Sequence, residues 1–121
     1  MALRFPQKIM DMAKALDARK GEDILLIDVG GNTIVADYFI VCSGRSTIQV
    51  KTLADELEMK MDQQGIHKLR VEGYQAGRWI VLDYGDVLVH IFHSEEREFY
   101  DIERLWRTLD NSEVYKSEEA E

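Results

Sequence analysis

Helical and strand-like patterns of apolar residues alternate along the chain. Apolar residues recur at helical spacing in segments 6–20, 46–64 and 94–109. Shorter apolar or alternating runs, bounded by glycine and other turn residues, are typical of strands. These runs are 23–29, 37–42, 67–72, 79–84 and 87–92. The order αββαβββα predicts helices that flank a mixed sheet of about five strands, in an α/β or α+β arrangement, of which we take α/β as the fold class.

Capping residues define the predicted helix ends. Pro6 suits the start of the first helix, because its missing N–H has no partner to lose there. Ser46 and Gln49 have the spacing of a capping box, in which each side chain binds a backbone N–H at a helix start. Ser94 is predicted to cap the last helix. The buried stripe of that helix is predicted to comprise Phe99, Ile102, Leu105, Trp106 and Leu109.

The pair Gly85–Asp86 between two apolar runs predicts a two-residue hairpin turn, since glycine readily adopts the positive φ that such turns need. A turn of this length sets the strand register. One face of the hairpin is then uniformly apolar, with the pairs Tyr84–Val87, Leu82–Val89 and Ile80–Ile91. The other face carries the pairs Asp83–Leu88, Val81–His90 and Trp79–Phe92. We assign the apolar face to the core.

The mixed face of this hairpin has two interpretations. Aromatic anchors combined with a few polar groups are typical of the hot spots of protein–protein interfaces. Alternatively, a helix covers the face, and Trp79 and Phe92 form a second layer of the core. On these residues alone, both interpretations stay open.

Charge and composition narrow the class of partner. The 121 residues carry a formal net charge of −8 at pH 7. An acidic surface repels phosphate backbones, so direct, sequence-specific nucleic-acid binding is disfavoured and a basic protein partner is favoured. Much of the charge falls in residues 110–121, which we predict to be an acidic, disordered tail after one domain at 1–109. No apolar run reaches membrane-spanning length, and a single cysteine fits a cytoplasmic location.

The sequence signals for a catalytic site or a metal site are weak. Residues 42–46 resemble the phosphate-binding start of a nucleotidyltransferase helix, but the neighbouring strand lacks the paired carboxylates of two-metal catalysis. His90 and His93 lie three residues apart on a strand, so they face opposite sides. Cys42 lies within an apolar strand. We therefore predict no catalytic residue, metal or cofactor. Arg45 has two interpretations that stay open: a solvated loop residue, or a residue that binds an RNA phosphate or a carboxylate.

Several separated segments resemble the Iojap-type ribosomal silencing factors. They are residues 36–46 (ADYFIVCSGRS), 49–50, 72–73, 79–92 (WIVLDYGDVLVHIF) and 97–106 (REFYDIERLW). The resemblance implies a nucleotidyltransferase-like α/β fold without transferase activity, often a homodimer when free. It further implies a translational repressor that binds a basic ribosomal protein, the fourteenth, on the intersubunit face of the large subunit. Bound there, such a factor blocks association with the small subunit when nutrients are scarce.

The resemblance and the hairpin register together predict which residues face the ribosome. These are Trp79, Asp83, Leu88, His90 and Phe92, with Arg70 and Glu72 on the neighbouring strand. Two other functions stay open. One is a nucleotidyltransferase-like enzyme that uses residues 43–46, and the other is a dimeric assembly adaptor with a non-ribosomal partner.

Overall fold

A computed structural model describes residues 5–108 and 110–116. Within these ranges the chain forms four helices and six strands. The helices are α1 (Gln7–Ala18), α2 (Thr47–Gln63), α3 (Ser94–Tyr100) and α4 (Glu103–Trp106). The strands are β1 (Glu22–Asp28), β2 (Tyr38–Gly44), β3 (Arg70–Glu72), β4 (Trp79–Asp83), β5 (Val87–His93) and β6 (Ser112–Val114). None of the helices in this part of the chain combines the length and apolar character needed to cross a bilayer.

The strands form one mixed sheet in the order β3-β4-β5-β2-β1-β6. Strands β2 and β5 pair in parallel at the centre, and the remaining neighbours are antiparallel. The predicted α/β arrangement with a mixed sheet is confirmed. The structure adds a sixth strand and shortens β3 to three residues, so that Leu69, predicted to lie in that strand, precedes it and is exposed.

Helices α1 and α2 cover one face of the sheet, which we call the core face. Each helix buries the apolar stripe predicted from its spacing: Ile9, Met12, Ala13 and Leu16 in α1, and Val50, Leu53, Leu57 and Met61 in α2. The hairpin contributes Ile80, Leu82, Tyr84, Val87, Val89 and Ile91. Full burial of one such aliphatic side chain contributes about 1.5–3 kcal/mol, so this single layer supplies most of the hydrophobic stabilisation.

The hairpin and the capping box follow their predictions. Gly85 has a φ of 91° and the β4–β5 pairs have the predicted register. The Ser46 hydroxyl accepts a hydrogen bond from the Gln49 backbone N–H at 3.0 Å. The Gln49 side chain in turn accepts from the Arg45 N–H at 2.8 Å, one residue before the expected partner. Side chains therefore occupy backbone donors that an anion would need at this helix start.

The prediction of a single helix over 94–109 is wrong. The chain breaks at Asp101, which adopts a left-handed conformation (φ 46°) between α3 and α4. The cap is also different, because Nδ1 of His93 rather than Ser94 accepts the Glu95 N–H, at 3.1 Å. The break changes the phase of the apolar stripe, so Phe99 and Leu105 are each 81% exposed.

Two stripe residues, Ile102 and Trp106, stay partly buried against the sheet, while Leu109 lies outside the described residues. The disordered tail predicted from residue 110 is wrong for 112–114, which form β6 on the edge of β1. Backbone hydrogen bonds hold this segment: the Asp28 N–H donates to the Asn111 carbonyl, and the Tyr115 N–H donates to the Ile24 carbonyl, both at 2.8 Å. Residues 117–121 lie outside the described part of the chain.

Candidate functional site

The face of β3, β4 and β5 opposite the core face is the candidate site, and we call it the Trp79 face. It carries Arg70, Glu72, Trp79, Val81, Asp83, Leu88, His90 and Phe92. Strand pairing places Arg70 opposite Asp83 and Trp79 opposite Phe92. The prediction that these residues share one face is confirmed. Partner binding by them stays a prediction.

Burial increases steeply across the Trp79 face, from β3 at the edge towards β5. The Arg70 side chain is 70% exposed, Trp79 is half-buried, His90 is 7% exposed and Phe92 is 0% exposed. Phe92 therefore presents no surface in this structure, and its role as a contact residue stays a prediction. Its ring instead stacks beneath the Trp79 indole, with 4.8 Å between ring centroids and 26° between ring planes.

The physical reason for this burial is a cover of aromatic side chains from the C-terminal segment. The Tyr100 ring lies 4.9 Å from Trp79, and Trp106 contacts Phe39 edge-on at 5.2 Å. The alternative in which a helix covers this face is thus partly correct. Two short helices cover the β5 side, and they leave Trp79 half-buried and β3 open.

Trp79 and His90 are joined by a hydrogen bond. The indole Nε1–H donates to Nδ1 of His90 at 3.2 Å. Because Nδ1 is the acceptor, the proton of the neutral imidazole lies on Nε2. That Nε2 is buried and has no hydrogen-bond partner within the described residues. Burial lowers the pKa of His90 to about 4, so the ring is neutral at pH 7.

Charged side chains form the rim of the Trp79 face. One Asp83 oxygen accepts the Gly85 N–H at 2.8 Å, and the other lies 3.3 Å from Nε of Arg70. Asp83 is thereby fixed to the hairpin turn, while the Arg70 side chain extends into solvent. Glu72 beside it is also exposed. The arrangement is a partly exposed aromatic group next to groups of both charges, which suits protein recognition.

Two arginines that sequence reasoning missed position the cover. Arg78 binds Glu95 at 3.0 Å and also Glu96, which ties α3 to the start of β4 beside Trp79. The nearly buried Arg97 binds Glu103 at 3.0 Å and the Glu22 carbonyl at 3.2 Å. Arginines next to runs of glutamate indicate ion pairs, but their sequence does not indicate which carboxylate each one meets.

The other candidate chemical groups make structural contacts. Burial raises the pKa of the Cys42 thiol to about 12, so this thiol stays protonated. Asp86 pairs with Lys8 at 2.8 Å. The Arg45 Nε donates to Glu22 at 2.6 Å, so its partner is a carboxylate of the chain itself. The side chains of His93, Glu95 and Glu96 lie close enough together to be metal ligands. However, His93 caps α3, and both glutamates form ion pairs with Arg78.

Comparison with known proteins gives a consistent result. The family described as ribosomal silencing factor during starvation matches residues 2–121. A ribosomal silencing factor of Bacillus subtilis is 45% identical over 94 residues, which cover 78% of this chain and 80% of that protein. A crystal structure of a Chromobacterium violaceum protein superposes with a TM-score of 0.82 and 32% identity, covering 98% of each chain.

A more distant relative is a mouse protein named for mitochondrial assembly of the ribosomal large subunit. It is 29% identical over 99 residues, which cover 78% of this chain and 43% of that protein. These matches assign the chain a ribosome-associated role in silencing translation. The protein belongs to the ribosomal silencing factor family.

Proposed function

We propose that this protein represses translation in the cytoplasm by occluding the large ribosomal subunit. It binds a basic ribosomal protein, the fourteenth, on the intersubunit face and sterically blocks docking of the small subunit when nutrients are scarce. The observation that supports this proposal is the half-buried Trp79, which keeps part of its surface accessible between the aromatic cover and a charged rim. Occlusion requires no turnover, so we expect neither enzymatic activity nor a cofactor.

Charge supports the choice of a basic partner. The net charge of −8 attracts a basic surface over a Debye length of about 8 Å and accelerates encounter. The desolvated contact then comes from Trp79 and the half-buried Leu88, because large apolar side chains dominate interface energies. In this proposal Asp83, Arg70 and Glu72 set the orientation. Phe92 and His90 lie beneath Trp79 and support its ring, rather than forming a large contact with the ribosomal protein.

The experiment that tests the proposal is sucrose-gradient sedimentation of separated ribosomal subunits under joining conditions, with and without the protein. We expect the protein to migrate with large subunits and to reduce joined ribosomes in proportion to its concentration. Normal joining, with the protein left at the top of the gradient, would refute the proposal. Met59→Ala is the matched control for substitutions on the Trp79 face, because this exposed apolar side chain lies on α2, on the opposite side of the sheet.

We further propose that the free protein is a homodimer whose interface includes the exposed apolar side chains of α3 and α4. Phe99 and Leu105 are mostly exposed, and Tyr100 is about half exposed. Since Tyr100 contacts Trp79, a second copy here would compete with the ribosome. Sedimentation velocity tests this: Phe99→Glu combined with Leu105→Glu should convert dimers to monomers. A dimer that survives both changes would place the interface elsewhere.

A further inference from the structure

The Trp79–His90 hydrogen bond is not explained by stability alone. A buried N–H without a partner carries a desolvation cost that exceeds the net gain from one hydrogen bond. Among the residues that the structure describes, Nε2 of His90 is such an unpartnered group, although the other ring nitrogen is satisfied by Trp79. The rings of Phe39 and Phe92 surround it, at centroid distances of 4.9 and 6.3 Å. An apolar side chain would suit these surroundings better, so an imidazole here needs another reason.

Ring stacking leaves the orientation of the indole incompletely determined. Phe92 and Tyr100 contact the Trp79 ring and restrict its plane. Rotation of the ring by 180° about its χ2 bond keeps a similar plane but exchanges its two edges. The inward edge carries Nε1–H, which Nδ1 of His90 accepts. That acceptor distinguishes the two orientations, because the flipped ring would leave Nδ1 without its donor.

We propose that His90 is a positioning residue for ribosome binding, which acts by holding the Trp79 indole with its N–H inward and its apolar edge towards the partner. The inference rests on the proposed function, since it assigns the role of one residue within the same face. Nδ1 of His90 is the atom that does this. His90 itself does not need to touch the ribosome, which agrees with its 7% exposure.

Two substitutions separate this role from simple packing. His90→Leu fills much of the same volume and removes the acceptor, whereas His90→Asn retains an acceptor near the position of Nδ1. Binding to purified large subunits is measured by co-sedimentation, with NMR of the indole N–H groups as a second readout. Trp106 provides the internal reference signal.

We expect His90→Leu to weaken large-subunit binding about five- to tenfold, the effect of losing one hydrogen bond. His90→Asn should bind within about twofold of the original protein, on the same estimate of one retained hydrogen bond. The Trp79 N–H should exchange slowly with solvent in the original protein and in His90→Asn, and rapidly in His90→Leu. His90→Phe replaces His90→Leu if circular dichroism shows the leucine variant unfolded.

The inference is overturned if the leucine variant binds as tightly as the original protein, or if the asparagine variant loses binding while its Trp79 N–H stays protected. Trp79→Ala separates this failure from failure of the proposed function. Lost binding in Trp79→Ala with full binding in His90→Leu would refute only the positioning role. Full binding in Trp79→Ala would refute the proposed surface itself.

Discussion

The two faces of the sheet are covered in different ways. On the core face, α1 and α2 bury continuous apolar stripes, and the facing strand residues are buried with them. On the Trp79 face, the cover consists of α3 and α4, two short helices that have no buried residue of their own. Ion pairs of Arg78 and Arg97 attach this cover at its edges.

This difference indicates a division of labour within a small domain. One fully apolar face supplies enough stabilisation that the other can retain a half-buried tryptophan and a buried imidazole. Elements held by few apolar contacts open at a lower free energy than the core. We therefore expect substitutions on the core face to reduce folding stability and substitutions on the Trp79 face to reduce binding.

The largest expected effect is on the core face. Ile80→Ala should lower the free energy of unfolding by about 2–5 kcal/mol, because it leaves a cavity under α2. The half-buried neighbour Val81, on the opposite face, provides the matched variant Val81→Ala, which should cost clearly less. Chemical denaturation measures both. Equal losses would break the distinction between the faces.

Acid should destabilise the protein through the Trp79 face. The pKa of His90 falls from its usual 6.5 to about 4 on folding, because burial disfavours the charged ring. Below pH 6.5 the unfolded chain binds a proton that the folded protein excludes, so stability falls as pH falls towards 4. The loss from this residue reaches about 3 kcal/mol. Denaturation of the original protein and of His90→Asn at several pH values should show a shallower acid slope in the variant.

The third effect concerns binding. Trp79→Ala should weaken the large-subunit complex by about 2 kcal/mol or more, or roughly 30-fold in Kd, as expected for an aromatic hot spot. Co-sedimentation at increasing subunit concentration measures this change. The melting temperature should fall less than in Ile80→Ala. A variant that melts like Ile80→Ala would instead identify Trp79 as core.

The smallest effect tests how the cover is attached. The Asn111 amide donates to the carbonyls of Trp106 at 2.9 Å and Asp28 at 3.0 Å, which joins the end of α4 to the end of β1. Asn111→Ala should lower stability by about 1 kcal/mol, since water can replace part of these bonds. Hydrogen exchange should increase around 102–108 more than in α2. Uniform increases would show that the cover does not open separately.

The core face could be predicted because its signals are local and mutually consistent. Helical spacing placed the buried residues of α1 and α2, and the Gly85 turn set which residues of β4 and β5 lie opposite each other. The same register placed the predicted site residues on one face. The spacing of apolar residues and the geometry of a turn determine which face of the sheet a residue lies on. They do not determine what covers that face.

Apart from the shortened β3, the errors lie in the C-terminal quarter, where no local pattern decides the structure. Asp101 carries no sequence signal as strong as glycine for a left-handed helix end, so the apolar spacing favoured one long helix. Strand β6 is three residues long and is held by backbone hydrogen bonds, which side-chain patterns do not reveal. Burial of Phe92 depends on the path of α3 and α4, which the apolar spacing did not predict.

The parallel pairing of β2 with β5 determines when the domain can form during synthesis. The hairpins β1–β2 and β4–β5 join neighbouring segments, whereas the central pair joins Tyr38 to Val87 and Gly44 to His93. Contacts between distant segments form slowly, because the intervening chain must first be ordered. Strand β2 therefore lacks its parallel neighbour until residue 93 has left the ribosomal exit tunnel. A member of a ribosome-silencing family thus completes the centre of its own sheet only after the ribosome has released β5.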